Sequence, residues 1–236
     1  MLKVENVQVF GLEAAIRGMR SPLNSWSKSD SEYVIQNPED VELGYEPNYE
    51  YEIGEADLNL MKRLAKAGTE HRKFMRMITV YVDITAPLYW YKEFDTYKVG
   101  TVANSTSTMH TIHKKEFTRN DFSCEHLYGY PMLCNITTTI ELLNQWRKLY
   151  LMTEDERKEW FEYNGYLSVP SKKECWWQMI QLLPSSYNQK RTVMLNYEVA
   201  ANILRQRKGH KLDEWNILCE QIEKLPYFKE IMEDTE

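Results

Sequence analysis

Short hydroxyl and amide side chains are concentrated in one stretch of this sequence, residues 98–110 (KVGTVANSTSTMH). Hydroxyl groups, together with the backbone N–H groups of a glycine-containing loop, can cradle a phosphate as an anion-binding nest. Lys98 would add positive charge to such a nest, although a lysine in a loop is more often only solvated. The stretch is therefore a candidate phosphate site, with an ordinary surface loop as the alternative.

Aromatic residues precede this loop at spacings typical of a helix: Tyr89, Trp90, Tyr91, Phe94 and Tyr97. Aromatic rings can stack on a planar ligand. At helical spacing, however, they more often fill a hydrophobic core. Both interpretations stay open at the level of the sequence.

The elements that would position the loop are a strand and a helix. Residues 74–84 (FMRMITVYVDI) alternate between apolar and polar positions, which predicts a strand with one buried face. Thr85 has the chemistry of a helix N-cap and Pro87 suits the first helical turn, so a helix should run to about Tyr97. The loop would then follow this helix directly.

The remaining sequence predicts one more strand and several helices. The strand is Val4–Phe10, followed by a short helix ending near Gly18 and an irregular excursion over residues 21–56. A helix is expected at 57–66, with Asp57 as its cap and Gly68 as its stop. Two further helices should begin at the capping boxes Thr153/Glu156 and Ser171/Glu174. A long helix over residues 187–208 should end at Gly209, and a last helix should run from Leu212 to Leu225. Strands thus fall only in the first half. The expected class is α+β, with a mixed or antiparallel sheet from the N-terminal half packed against long helices.

Composition narrows the class of protein. The 236 residues are 43% hydrophobic and 13% aromatic, which favours one globular domain over residues 1–236. The net charge is -6 and the basic residues are scattered, which argues against a nucleic-acid partner. The sequence has no apolar run of about 18 residues, which argues against a membrane partner. The N-terminal residues lack the pattern of a signal peptide. We therefore expect a cytoplasmic protein.

The four cysteines are far apart in the sequence: Cys124, Cys134, Cys175 and Cys219. They form no C-x-x-C pair, and no histidine lies at the spacing of a zinc ligand. We expect reduced thiols and no metal.

From Ala86-Pro87 onward, the spacing resembles the flavin-dependent thymidylate synthases. Their signature has Ala-Pro at a strand-to-helix junction, then a Gln, an Arg-His-Arg triplet and a Ser-x-Asn-Glu-x-Ser-x-Arg-Tyr run. The corresponding residues here are Glu93, the triplet Thr96-Tyr97-Lys98, and Thr101, Ala103, Asn104, Thr106, Thr108 and Met109. The resemblance implies that Glu93, Thr106 and Thr108 contact the substrate, and that Thr96, Tyr97 and Lys98 contact the cofactor.

A second region is also similar to this family. Leu183-Pro184, Asn196, Asn202 and Arg207 lie at the family's spacing. The resemblance implies that Asn196 and Asn202, both predicted to lie within the long helix, contact the flavin, and that Arg207 contacts the nucleotide. His71 lies near the position of a flavin-contacting histidine. Two family arginines are replaced, by Glu198 and Ile180.

The resemblance implies a function as well as a fold. A member of the family would methylate dUMP to dTMP with methylene-tetrahydrofolate, FAD and NADPH, and would be a homotetramer that binds a nucleotide-like small molecule. Because threonine and isoleucine replace arginines that can bind phosphate in a bidentate manner, FAD should be held weakly or be absent. The alternative is an altered or inactive homologue that binds a nucleotide or another small molecule without this activity.

Overall fold

The computed structural model of the protein describes residues 2–233, except for the side chain of Asp40. Its strands are β1 (Lys3–Phe10), β2 (Glu32–Ile35), β3 (Tyr49–Glu52), β4 (Thr79–Pro87), β5 (Val102–Ser105) and β6 (Asn188–Asn196). Its α-helices are α1 (Leu12–Arg20), α2 (Pro38–Glu42), α3 (Glu55–Lys66), α4 (Leu88–Phe94), α5 (Thr108–Thr111), α6 (Tyr130–Leu151), α7 (Glu154–Tyr163), α8 (Lys172–Leu182), α9 (Tyr197–Arg207), α10 (Asp213–Ile222) and α11 (Phe228–Met232). The α+β class is confirmed.

Four of these strands form one sheet in the order β1-β4-β6-β5. The backbone N–H of Tyr197, after β6, donates to the carbonyl of Ile78, before β4, at 3.1 Å. At the other ends of the two strands, the N–H of Leu88 donates to the carbonyl of Tyr187 at 3.0 Å. The two central strands are therefore antiparallel.

The alternation predicted for β4 is confirmed, because Ile78, Val80, Val82 and Ile84 are buried whereas Tyr81 is exposed. The predicted helix start is wrong. Thr85 lies within β4, and α4 begins only at Leu88. Proline disfavours helical backbone in the residue before it, so Ala86 stays extended and the strand continues to Pro87.

The single long helix predicted for residues 187–208 is also wrong. Residues Asn188–Asn196 form β6, and only the following residues form α9. Val193 and Leu195 are buried on one side of the strand while Thr192 is exposed, a period of two that belongs to a strand. Strands are therefore not confined to the first half of the chain.

The segment predicted to be an irregular excursion contains a small sheet. Strands β2 and β3 pair antiparallel, with Glu32 opposite Glu52 and Ile35 opposite Tyr49. The rings of Tyr33 and Tyr51, directly opposite each other, have centroids 5.0 Å apart. Its strands have four residues each and are largely exposed, so their sequence carries little hydrophobic pattern.

Several predicted helix ends are confirmed. Both capping boxes form, Thr153 with Glu156 and Ser171 with Glu174. Gly68 and Gly209 follow their helices with positive φ angles of 99° and 72°, as expected for C-terminal glycines. Asp57, however, does not cap α3: the N-cap is Gly54, and Asp57 lies buried in the first turn.

The chain divides into two compact units. Unit 1 comprises Ile84–Thr96 and Asn104–Arg191, with the first residues up to Lys3. Unit 2 comprises Val4–Asp83, Tyr97–Ala103 and Thr192–Glu236. Strands β1, β4, β5 and β6 contribute residues to both units, and the single domain expected from the length stays a prediction.

Each unit has a hydrophobic core of its own residues. One cluster in unit 1 consists of Ile112, Phe117, Phe122, Ile136, Leu143 and Met179. In unit 2 the largest fully buried side chains include Trp215, Tyr197, Phe74 and Phe228. Among residues 2–233, no helix has the length and apolar character needed to cross a membrane. All four cysteines carry free thiols.

Candidate functional site

In unit 2, the loop after Thr96 packs against the start of α9. Gly100 has a φ of +80°, and a Cβ atom there would lie 2.8 Å from Nδ2 of Asn196. Asn196 is the N-cap of α9, since its Oδ1 accepts a hydrogen bond from the N–H of Val199 at 3.0 Å. Asn196 is therefore not in the middle of a helix as predicted, whereas Asn202 is.

Two predicted site residues of unit 2 are in direct contact. Arg207 Nε donates to the hydroxyl oxygen of Tyr97 at 3.0 Å, and the Tyr97 hydroxyl donates to Gln206 Oε1 at 3.0 Å. The Arg207 guanidinium also lies 4.5 Å from the ring centroid of Trp215 and 3.3 Å from His210 Nε2. The resemblance assigned Tyr97 to the cofactor and Arg207 to the substrate, and the structure places them side by side. Lys98 is exposed beside them in the sequence.

Glu198, which stands where the family has an arginine, forms an ion pair within unit 2. Its Oε1 lies 2.9 Å from Arg72 Nη2, and the two side chains are only 14% and 8% exposed. The other carboxylate oxygen, Oε2, is buried and accepts no hydrogen bond from any residue in the described part of the chain. The negative charge also lies in the first turn of α9, where the helix dipole favours it.

Unit 2 encloses a cavity of about 590 Å³ between the end of α1, residues 22–28, α3 and residues 70–77. The lining includes one acidic residue, Glu70, and apolar residues such as Leu60, Leu64 and Phe74. Its basic residues are Arg20, which is paired with Asp57, and Lys28, Arg63, His71 and Lys73. None of the residues assigned to the site by spacing lines this cavity. His71 is the lining residue to which the resemblance pointed, and the others lie in three segments, residues 18–28, 60–64 and 70–77, that carry no recognised motif.

In unit 1, the predicted residues Glu93 and Thr96 interact at the end of α4, where the Thr96 hydroxyl donates to the backbone carbonyl of Glu93 at 2.7 Å. Sequence reasoning missed the nearby Arg191. Its guanidinium lies 3.7 Å from the ring centroid of Tyr91, and its Nη1 lies 2.7 Å from Asp95 Oδ1. Burial raises the pKa of the Tyr91 phenol, so the ring stays neutral under the cation.

A second cavity, of about 390 Å³, lies within unit 1 and includes the predicted substrate residue Thr106. Thr106 is fixed by three hydrogen bonds: its N–H and its hydroxyl both donate to the carbonyl of Lys190 at 2.9 Å, and Gln189 Nε2 donates to its carbonyl at 2.7 Å. We call this space the lysine cavity, because Lys114, Lys115 and Lys190 line it. Thr108, the first residue of α5, is half-buried and is not part of its lining.

Comparisons with known proteins identify the fold of the chain. No protein-family model matches the chain, and no curated protein matches it either. Among solved structures it is similar to thymidylate synthase X from Helicobacter pylori with FAD and dUMP, with 14% identity over 99% of this chain and 98% of that chain and a TM-score of 0.61. A second structure, of flavin-dependent thymidylate synthase from the same bacterium complexed with FAD and dUMP, has 15% identity over 98% of both chains and a TM-score of 0.59.

The protein therefore has the α+β fold of the flavin-dependent thymidylate synthases, as the resemblance in the sequence predicted. At 14% and 15% identity, the similarity defines the fold and leaves activity to be argued from the sites themselves.

Proposed function

We propose that the protein is a flavin-dependent thymidylate synthase-like enzyme, which converts dUMP to dTMP with methylene-tetrahydrofolate, FAD and NADPH. The observation that carries the proposal is the extent of the shared fold: nearly all of this chain corresponds to nearly all of a thymidylate synthase chain whose structure holds FAD and dUMP. The motif positions at Ala86-Pro87 and Leu183-Pro184 support it independently, because they are a property of the sequence and do not depend on the shared fold.

The cavity of unit 2 fits the chemistry of FAD. Its volume of about 590 Å³ lies within the range of about 300 to 1,000 Å³ that is usual for ligand pockets. Lys28, Arg63 and Lys73 would hold the diphosphate, while Phe74 and the leucines of α3 would contact the planar ring beside His71. When bound there, FAD would supply hydride transfer.

The protein's own task in such a reaction is to bind and orient the two ligands. Cysteine is not required as a nucleophile in such a reaction, and two of the buried thiols of this chain are not activated. Burial raises the pKa of Cys219 to about 11, and it also raises the pKa of Cys175. Both groups therefore stay protonated at neutral pH and serve as small apolar side chains.

FAD affinity should be modest and sensitive to salt. Lysine presents a point charge rather than the planar fork of arginine, and contacts to exposed cations are screened by ions. Two of the three cations placed at the diphosphate, Lys28 and Lys73, are exposed lysines. Partial loss of the flavin during purification is the expected behaviour.

The test starts with the visible absorption spectrum of the purified protein, before and after incubation with excess FAD and desalting. Formation of dTMP from dUMP is then followed with methylene-tetrahydrofolate and NADPH present. A Lys28→Gln, Lys73→Gln variant should retain less flavin than the wild type, whereas Lys66→Gln, an exposed lysine elsewhere on α3, should retain as much. A colourless protein that cannot be reconstituted would contradict the flavoprotein assignment.

The replaced arginines favour one alternative, a homologue that binds a nucleotide or related small molecule without turning it over. Glu198 forms an ion pair with Arg72, and Ile180 packs in the hydrophobic core of unit 1. Neither position can bind phosphate as an arginine would. Binding of FAD and dUMP with no dTMP formation would establish this alternative.

We further propose a homotetramer in the cytoplasm. The assembly follows from the resemblance, and the compartment from the free thiols, which are usual in reducing surroundings.

A further inference from the structure

We infer that the outer edge of β2 is a docking site for a basic, extended segment of a partner protein, which adds to the sheet of β2 and β3 as a third strand. The site lies in a part of unit 2 that contains no residue of either family motif, so it is independent of the proposed function. Open backbone groups, uncompensated negative charge and an exposed aromatic face support it.

The outer edge of β2 has backbone groups available for hydrogen bonds. The N–H of Gln36 donates to the carbonyl of Asn48 at 2.9 Å, so hydrogen-bonded and non-hydrogen-bonded pairs alternate along the two strands from this point. The N–H and C=O groups of Tyr33 and Ile35 therefore point away from β3. No residue in the described part of the chain pairs with them.

The edge of β3 is less open than the edge of β2. Beside β3, the N–H of Ile53 donates to the hydroxyl oxygen of Tyr227 at 3.1 Å. Strand β2, by contrast, contains neither lysine nor proline, the residues that commonly protect an edge strand from pairing. An extended segment can add to such an edge through main-chain hydrogen bonds.

The segment that contains both strands is strongly acidic. Between Lys28 and Lys62 the sequence has ten acidic residues and no basic one, although the whole chain has a net charge of only -6. The rest of the chain is therefore net positive. One of the ten, Asp57, is neutralised by the buried Arg20. The remaining charge attracts a cationic partner.

Three of these carboxylates share one face of the small sheet, which we call the carboxylate face. Glu32 lies directly opposite Glu52, and Glu50 lies opposite Val34 on the same face. All three carboxylates are exposed, and none forms an ion pair with another described residue. Like charges directly opposite each other destabilise a sheet, and a cation lying on this face would relieve the repulsion. The same charge opposes pairing with the identical edge of a second copy, so it favours a basic partner.

The opposite face of the sheet is aromatic, and we call it the tyrosine face. It consists of Tyr33, Ile35, Tyr49 and Tyr51. Tyr33 is 56% exposed and Tyr49 is 57% exposed. Tyrosine is enriched at protein interfaces, because its ring supplies apolar contact area and its hydroxyl supplies a hydrogen bond.

The tyrosine face borders a groove of about 290 Å³ in unit 2. The apolar lining residues of this groove are Ile16, Trp26 and Tyr51. Its two arginines and Glu13 are in ion pairs, either with each other or with Asp57. The charges in the groove are thus balanced, which suits an apolar side chain of the partner better than a cation.

The two faces together define the sequence pattern of the partner. Successive side chains of a strand point to opposite faces of the sheet. Lysine or arginine at every second position would meet the carboxylate face, and apolar residues between them would meet the tyrosine face. The partner segment is therefore one in which basic and apolar residues alternate.

The test uses two short fluorescein-labelled peptides of identical composition, one with alternating lysine and valine and one with all lysines before all valines. Fluorescence anisotropy measures their binding to the full chain. The alternating peptide should bind at least about tenfold more tightly, because only this order presents every lysine to one face of the sheet. Hydrogen exchange followed by mass spectrometry should slow in the segment containing Tyr33 and Ile35 when the alternating peptide is bound.

A variant tests the carboxylate face. Glu32→Gln, Glu50→Gln and Glu52→Gln together should weaken binding of the alternating peptide about tenfold, since three cross-strand pairs of opposite charge are lost. Thermal melts should show a variant at least as stable as the wild type, because repulsion between the carboxylates is removed. The matched control replaces three exposed carboxylates of α7: Asp155→Asn, Glu159→Gln and Glu162→Gln. This control should bind the peptide as the wild type does.

Several outcomes would overturn the inference. Equal binding of the two peptides to the wild type would exclude strand addition and leave only a general attraction between charges, and an equal loss in the α7 control would lead to the same conclusion. A wild type that binds neither peptide would exclude the docking site. A change in molecular mass of the carboxylate variant, measured by light scattering, would assign the edge to a second copy instead. Binding of FAD and dUMP tests the proposed function separately from all of these measurements.

Discussion

The Asp57 carboxylate is fully buried in unit 2 and is surrounded by donors. It accepts hydrogen bonds from Ser29 Oγ at 2.6 Å, from Ser31 Oγ at 2.7 Å and from Arg20 Nε at 2.5 Å. Asp57, which the sequence predicts to be a helix cap, thus joins three separate segments of the unit. Its charge is compensated by Arg20, which is also buried.

Replacing Asp57 by asparagine should lower the free energy of unfolding by about 3 kcal/mol or more, because the buried Arg20 would lose its counter-charge. Chemical denaturation at neutral pH measures the change. The control is Asp155→Asn, an exposed residue in the first turn of α7. A loss no greater than that of the control would mean that Arg20 finds another partner.

The contribution of Asp57 should also depend on pH. Burial raises its pKa, but the hydrogen bonds from Ser29, Ser31 and Arg20 more than offset this, so the folded pKa lies below the ordinary value of 3.8. A carboxyl group with a depressed folded pKa stabilises the protein above its unfolded pKa, and this contribution is lost as the pH falls through the folded pKa. The stability difference between wild type and Asp57→Asn should therefore be constant near neutral pH and shrink below about pH 4. A difference that grows on acidification would contradict the assignment.

Arg207 has structural contacts regardless of any ligand. Removing its bond to Tyr97 and its contact with the Trp215 ring in Arg207→Ala should cost about 1 to 2 kcal/mol of stability. Arg205→Ala, on the exposed side of the same helix, should cost less. If Arg207 also binds substrate, dUMP affinity will fall in addition, and calorimetry on the folded variant separates the two effects. If Arg207→Ala has wild-type stability and wild-type dUMP affinity, Arg207 has neither a structural nor a substrate-binding role.

At the level of elements, the start of α9 depends on Asn196. Asn196→Ala removes the side-chain acceptor of the Val199 N–H and should lower stability by about 1 kcal/mol. Asn196→Asp, which keeps an acceptor, should restore most of it, and Asn202→Ala serves as the control within the same helix. Thermal melts measure all three. Weakened FAD binding in Asn196→Ala without any loss of stability would favour the cofactor role that the resemblance implied.

The sequence predicted those elements whose pattern is strong and local. Alternation identified β4, and capping residues located the starts of α7 and α8. For residues 188–196 the sequence predicts helix instead of strand, because no glycine or proline separates them from α9 and the helical pattern continues backwards across Asn196. The small sheet of β2 and β3 was missed since its short, exposed strands bury little apolar surface.

The sites were harder to predict than the elements. Motif spacing led to Tyr97 and Arg207, which do meet in unit 2. The lysine cavity could not be found in this way, because its lining comes from residues near 85, from 106–121 and from 187–190. The pairing of β6 with its neighbours brings these segments together, and the sequence predicts a helix where that strand lies.

For the whole molecule, we predict a mass in solution of four times the 28.2 kDa of one chain. Unit 2 exposes large apolar side chains that a second copy could cover, among them Phe10, which is 54% exposed and contacts the ring of Tyr81. Multi-angle light scattering at micromolar concentration gives the mass directly, and Phe10→Asp should reduce it if that surface is used. A mass equal to a single chain would exclude the tetramer.

The way in which the chain builds its two units has a consequence for biosynthesis. Unit 2 needs both β1 and the helices that follow β6, and unit 1 needs residues up to Arg191. A nascent chain leaving the ribosome therefore cannot finish either unit until most of its sequence has emerged, because contacts between distant segments form late. Stalled or shortened chains should be targets for chaperones and proteases, and no single cut in the gene separates the residues of one unit from those of the other.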